Sequence, residues 1–139
     1  MDRKRKLISL IIWWCEGTKV RKDKRWKNAI NCPIEVTNTD QKIIKIFIDF
    51  LRKDLGIANK KLKGRVQIHE GDNQAKIESF WSTVSGIPLS QFNKTIVRPK
   101  GYKVGKNLGT FTIRTYDKIL YMKLCELLET ELKELASGE

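Results

Sequence analysis

The chain has 139 residues, the size of one domain, and 28 Lys plus Arg against 16 Asp plus Glu give it a formal net charge of +12 at pH 7. Because 40% of the residues are hydrophobic, that charge belongs to the surface of a folded body and not to a disordered basic tail, and it would draw phosphate backbones or anionic membranes. Three cysteines with no C-x-x-C pair and a single histidine exclude a disulfide framework and a structural zinc site.

Arg3 to Lys6 followed by the apolar run Leu7 to Cys15 imitates the opening of a signal peptide. The run ends in Cys-Glu-Gly-Thr-Lys without a small-x-small cleavage site and is too short to span a bilayer, so a reduced, cytoplasmic chain with no membrane segment is expected. The same run predicts a first helix from about Lys4 to Glu16, apolar on nearly every side and stopped by Gly17. A helix of that kind must be buried all round, which in a small domain calls for a second surface such as a partner subunit.

Thr18 to Lys27 carries Lys19, Arg21, Lys22, Lys24, Arg25 and Lys27 against Asp23 alone, and reads as an exposed hairpin or loop. Ile34 and Val36 alternating with Glu35 and Thr37 predict a strand with one wet face. Asn38, Thr39 and Asp40 offer N-caps for a second helix, with apolar positions from Ile43 to Leu55 at helical spacing and a stop at Gly56. Lys63 to His69 alternates again, Val66 and Ile68 facing one way and Arg65, Gln67 and His69 the other. Asp72 or Asn73 then opens a third helix bearing Ile77, Phe80, Trp81 and Val84, closed at Ser85-Gly86-Ile87-Pro88.

Between Asn93 and Lys106 lie Lys94, Arg98, Lys100, Lys103 and Lys106 with no acid, punctuated by Pro99, Gly101 and Gly105. This predicts a cationic loop, partly strand around Thr95 to Arg98. Phe111 and Ile113 alternate with Thr112 and Arg114 in a last strand, and Asp117 opens a final helix. From Asp117 to Glu139 there are six acids and three bases, so the positive charge is concentrated on the hairpin, the strands and the Lys94–Lys106 loop.

Two features carry chemistry. Glu16 falls at the C-terminal end of a helix, where free carbonyls and the macrodipole disfavour a carboxylate. A divalent cation would offset that cost, taking the carboxylate as a hard ligand, and the alternative is a solvated Glu beside the Thr18–Lys27 cations. On the strands, Arg65, Gln67, Thr112 and Arg114 point away from the core, and Arg and Gln suit bidentate contacts to guanine and adenine edges. Lysines on the loops would contact phosphates, which gives affinity and salt dependence without sequence information. His69 with Glu70 is a further candidate for a metal or a plain polar contact, and Trp13, Trp14, Phe80 and Trp81 suit core or interface.

Ser9-Leu10-Ile11-Ile12-Trp13-Trp14-Cys15-Glu16-Gly17, with Thr18-Lys19 after it, resembles a divergent LAGLIDADG motif ending in the acid-glycine pair of the homing endonucleases. Glu35-Val36-Thr37-Asn38-Thr39-Asp40, Ile68-His69-Glu70-Gly71 and Trp81 through Gly86-Ile87-Pro88-Leu89-Ser90-Gln91-Phe92-Asn93-Lys94-Thr95 extend the similarity to single-motif members over nearly the whole chain. The resemblance implies one α+β domain over residues 1–139, a half-saddle with a curved antiparallel sheet whose motif helix lies at a dimer interface. A homodimer would then place one acid from each copy beside a two-fold axis and lay two sheets in the major groove of double-stranded DNA, at a palindromic or pseudo-palindromic site.

By the same resemblance Glu16 matches the acid that binds Mg2+ and Gly17 the carbonyl that follows it, and the activity would be double-strand cleavage. Lys94 is the candidate for the cation near the scissile phosphate, in competition with Lys19, Arg98 and Lys100. Ile11, Ile12, Trp14 and Cys15 would form the interface. Ile11 and Cys15 stand where family helices keep small residues, which implies a wider helix separation. A non-catalytic DNA-binding regulator and an RNA-binding intron maturase are the alternatives on the same scaffold, and a membrane-surface role ranks last.

Overall fold

The computed structural model describes residues 2–17, 33–99 and 108–137. In chain order it contains α1 (Arg3–Glu16), β1 (Pro33–Asn38), α2 (Gln41–Asp49), β2 (Lys63–His69), α3 (Gln74–Ser85), β3 (Ile96–Arg98), β4 (Thr110–Tyr116) and α4 (Lys118–Ala136), an α+β fold. The hairpin predicted over Thr18–Lys27 lies outside the described residues, as do Lys100 and Lys103.

Each helix begins where a short polar side chain can satisfy a free backbone N–H. Asp2 accepts from Arg5 at 3.0 Å, Asp40 from Lys42 at 2.8 Å, Asn73 from Lys76 at 3.1 Å and Asp117 from Leu120 at 3.0 Å. Of the three cap candidates before α2, Asp40 caps the helix, while Asn38 accepts the Asp40 N–H at 2.8 Å and so shapes the approach. The helix predicted to Leu55 is regular only to Asp49 and continues as a π-helical turn, Phe50–Asp54. That wider turn lets Phe50 join Phe47, Ile48 and Leu51 in the core, where all four are fully buried.

The sheet runs β1-β4-β2-β3. β4 is antiparallel to both β1 and β2, but β3 is parallel to β2, so the sheet is mixed where the resemblance implies an antiparallel one. The reason is the connection: α3 and the 3-10 turn Leu89–Gln91 carry the chain back to the end at which β2 begins, where Phe92 bridges Gly64. Inward positions Ile34, Val36, Val66, Ile68, Phe111 and Ile113 form one core with Leu10, Trp13, Ile44, Phe47, Ile77, Trp81 and Leu124 of the helices. Among the described residues no helix is long and apolar enough to cross a membrane.

Two ion pairs fasten α1. Lys6 reaches Glu131 of α4 at 3.0 Å, and the Arg5 guanidinium grips Asp54, with Nη2 to Oδ1 at 2.8 Å, while the Asp2 backbone N–H donates to the same carboxylate at 3.2 Å. These donors hold the Asp54 carboxyl below the usual carboxylate range, against the opposing push of its burial. A carboxyl whose pKa is lower in the folded state contributes stability above its unfolded value, and that contribution is lost as pH falls through the folded value. Urea melts taken from neutral pH downward are therefore expected to show stability falling below about pH 4, with a shallower fall in Asp54→Asn. Equal slopes for the two proteins would mean that Asp54 is not held by Arg5.

Candidate nucleic-acid interface

Period-2 alternation places every second residue of the strands on the face away from the helices, and the register aligns them in rows. One row reads Glu35, Arg114, Lys63, the next Thr37, Thr112, Arg65, and a third Thr110, Gln67, Ile96, with His69 beside Arg98 at the end of β2. Among these described positions there are four Lys or Arg side chains and one carboxylate, Glu35. Arg65 and Gln67 are half-buried and Lys63 and Arg98 exposed.

Two candidates are more constrained than the sequence implied. Thr112 was expected to face a ligand, yet it is only 7% exposed, because on an inner strand it lies between Thr37 and Arg65, and its hydroxyl shares a 2.8 Å hydrogen bond with that of Thr37. Arg114 is committed to Glu35, with Nε to Oε2 at 3.2 Å and Nη2 to Oε1 at 2.9 Å, and its Nη1 donates to the Tyr116 hydroxyl at 3.3 Å. The carboxylate raises the Arg114 pKa further, so the guanidinium stays charged at every relevant pH. Glu35 as a partner of Arg114, and Tyr116, were not singled out from the sequence. The signal was there in the alternation of β1 and in Tyr116 standing two residues beyond Arg114.

Glu16 ends α1 with an exposed side chain and no basic residue in the last helical turn. Among the described residues no ion pair forms on it. Gly17 follows in extended conformation, its N–H bonded to the Trp13 carbonyl at 2.8 Å, and it bridges to Val36 of β1. Only glycine fits: a Cβ there would stand 2.6 Å from Trp13 Cδ1. α1 is thus tied directly to the sheet edge.

The expected burial of α1 on every side holds on one side only. Ser9, Leu10 and Trp13 are buried, whereas Ile8, Ile11 and Trp14 are 38%, 56% and 49% exposed, and Cys15 is exposed with them. Ile8, Ile11 and Cys15 recur at i, i+3 and i+7, so they form one apolar stripe with Trp14 at its flank. Ile12 packs instead against the edge of the core.

Within one chain Lys94 lies across the sheet from Glu16. A single line of paired residues crosses the sheet from Gly17 through Val36, Ile113 and Gly64 to Phe92. Four inter-strand spacings separate its ends by about 19 Å, and Lys94 is exposed two residues beyond Phe92 at the far edge. Arg98 is on that same edge. His69 is half-buried with its backbone N–H on Asp72 at 2.9 Å, and among the described residues no three His, Cys, Asp or Glu side chains are grouped so as to hold a metal ion. Comparison of the chain with protein-family models, with curated proteins and with solved structures finds no match in any of the three.

Proposed function

We propose that this chain is a sequence-specific DNA-binding protein of the LAGLIDADG half-saddle type, acting as a homodimer, and that with magnesium it hydrolyses phosphodiester bonds on both strands of a palindromic or pseudo-palindromic site. The observation that carries this reading is the pairing of two surfaces. One is a sheet face with four cations and a glutamine turned outward, the other an exposed apolar stripe on α1 that ends at the edge of that sheet in Glu16, a carboxylate with no ion pair among the described residues. A cationic sheet face meets the needs of groove binding, and an apolar stripe beside it is what a second copy would cover.

The donor chemistry fits a hard divalent cation. Glu16 provides a carboxylate at the negative end of a helix, where a cation offsets the unfavourable charge, and a second copy would contribute its own. Bound there with water and phosphate oxygens, Mg2+ supplies Lewis-acid stabilisation of a scissile phosphate. Lys94, at the opposite sheet edge, is better suited to a backbone phosphate than to that reaction.

The test is incubation of the purified protein with a randomised palindromic duplex library, in magnesium and in calcium, with sequencing of bound and cut fractions. Cleavage in magnesium only is expected, and Glu16→Gln should reduce it by at least about a hundredfold while sparing binding. Equal loss of binding and cutting in Glu16→Gln, or cutting unaffected by it, would refute the assignment. A non-catalytic regulator is the second reading, favoured by the bulk of Ile11 and Trp14 on the exposed stripe, which would keep two Glu16 carboxylates apart. Selective binding without cutting in either metal would establish it.

A further inference from the structure

The DNA-binding reading leaves one feature of the outer face unexplained, a carboxylate at its first row. Glu35 is the single acid among the described outward strand positions, and on a surface offered to a polyanion it works against affinity. Its side chain is 13% exposed, while that of Arg114 is 23% exposed. The carboxylate is the more covered partner and the guanidinium the more open one.

A guanidinium has five N–H groups. Glu35 takes the one on Nε and one on Nη2, and the Tyr116 hydroxyl takes one on Nη1. Among the described residues one N–H therefore remains on each terminal nitrogen, both in the guanidinium plane. The Tyr116 ring also faces the guanidinium, its centroid 5.9 Å from Cζ; Arg114 and Tyr116 are mounted on β4, a strand paired on both sides, and Glu35 on the neighbouring β1.

Resting on the DNA-binding reading, we infer that Glu35 is a positioning residue that fixes Arg114 as a two-donor reader of a guanine edge in the major groove of duplex DNA. Guanine presents O6 and N7 there as adjacent acceptors, which match two donors on neighbouring nitrogens. A side chain already held in one rotamer loses little freedom when it docks, so the carboxylate exchanges general attraction for orientation. Structured RNA is the poorer match, because the major groove of an A-form helix is too deep and narrow for a sheet-borne side chain to read.

The sign of one substitution separates this role from simple charge. If Glu35 only neutralises Arg114, Glu35→Gln makes the face more positive and tightens binding to every duplex alike. If it positions Arg114, the same change loosens the best site while leaving binding to unrelated duplexes unchanged or stronger.

The experiment uses the full chain in calcium. A duplex selected by the wild-type protein is titrated by fluorescence anisotropy beside single G·C to A·T replacements and an unrelated duplex, for wild type, Glu35→Gln, Glu35→Asp and Arg114→Lys, each first shown to melt cooperatively. One G·C pair is expected whose replacement costs wild type about tenfold or more in Kd, with that preference lost in Arg114→Lys and in both Glu35 variants. Glu35→Asp keeps the charge but withdraws the carboxylate by one methylene, so its loss of preference identifies geometry as the cause. Uniformly tighter binding by Glu35→Gln, or an unchanged preference at every position in Arg114→Lys, overturns the inference while leaving DNA binding intact. Failure of wild type to enrich any duplex overturns the DNA reading and this inference together.

Discussion

Trp81→Ala is expected to cost about 3–5 kcal/mol of folding stability, read as the shift in a urea melt with the slope unchanged. The indole is fully buried and stacks on Phe111 at 5.1 Å with 9° between the ring planes, while Phe80 meets it edge-on at 5.1 Å. Its Nε1–H donates to the Leu108 carbonyl at 2.7 Å. Alanine would leave a large cavity in the core and the part-buried Leu108 carbonyl without its donor. Since domains of this kind are stable by roughly 5–15 kcal/mol in total, the change removes a large share of the margin.

Trp81→Phe divides that loss. Phenylalanine keeps a ring against Phe111 but gives up the hydrogen bond to Leu108, so about 1–2 kcal/mol is expected from the lost bond and the smaller ring. Leu108 and Gly109 lead into β4, the strand that carries Thr112 and Arg114 on its other face. Because the Trp81 stack fixes where β4 begins, Trp81→Phe is also expected to weaken duplex binding modestly at constant fold. A Trp81→Ala protein within about 1 kcal/mol of wild type would mean that the stack does not bear on the core.

Much of this organisation is legible in the residue order, because the signals are local. Asp40, Asn73 and Asp117 announce helix starts by cap chemistry, and Gly86, at φ +70°, stops α3 in the left-handed conformation that glycine favours. The alternation from Lys63 to His69 gives the bounds of β2 and the outward turn of Arg65 and Gln67. What stays hidden is long-range. The partner of β2 at each edge depends on connections, so the parallel pairing with β3 is invisible in a three-residue strand. The π-helical turn at Phe50 leaves the apolar spacing almost unchanged, and nothing local reports the extra residue in the turn.

The candidate site divides in the same way. Glu16 is legible because an acid at a helix C-terminus is out of place by itself. Its distance from Lys94 is not, since it depends on the strand order, which separates residues that chemistry alone would pair. The Glu35–Arg114 contact spans 79 positions of sequence and requires the β1–β4 register, which shifts by one residue would destroy. Alternation identifies which side chains share a face, and register decides which of them meet.

If the chain is the homodimer proposed above, Ile11→Glu is expected to have the second large effect, a fall in dimer affinity of about a thousandfold or more, measured by sedimentation at a series of protein concentrations. Ile11 lies at the middle of the exposed stripe between Ile8 and Cys15 and is 56% exposed in the single chain. Burying the exposed half of a side chain of this size contributes about 1–2 kcal/mol, and a two-fold axis makes every loss count twice. Two new carboxylates facing each other near that axis add repulsion, so more than about 4 kcal/mol is removed, and each 1.4 kcal/mol is a factor of ten. Because Ile11 points away from Leu10 and Trp13, the fold is expected to survive, and melts should change little. A site read by two copies would then be bound only at high concentration, and half-sites weakly. A wild-type chain that sediments as a monomer throughout would defeat the homodimer, and a dimer unchanged by Ile11→Glu would move the interface to another face.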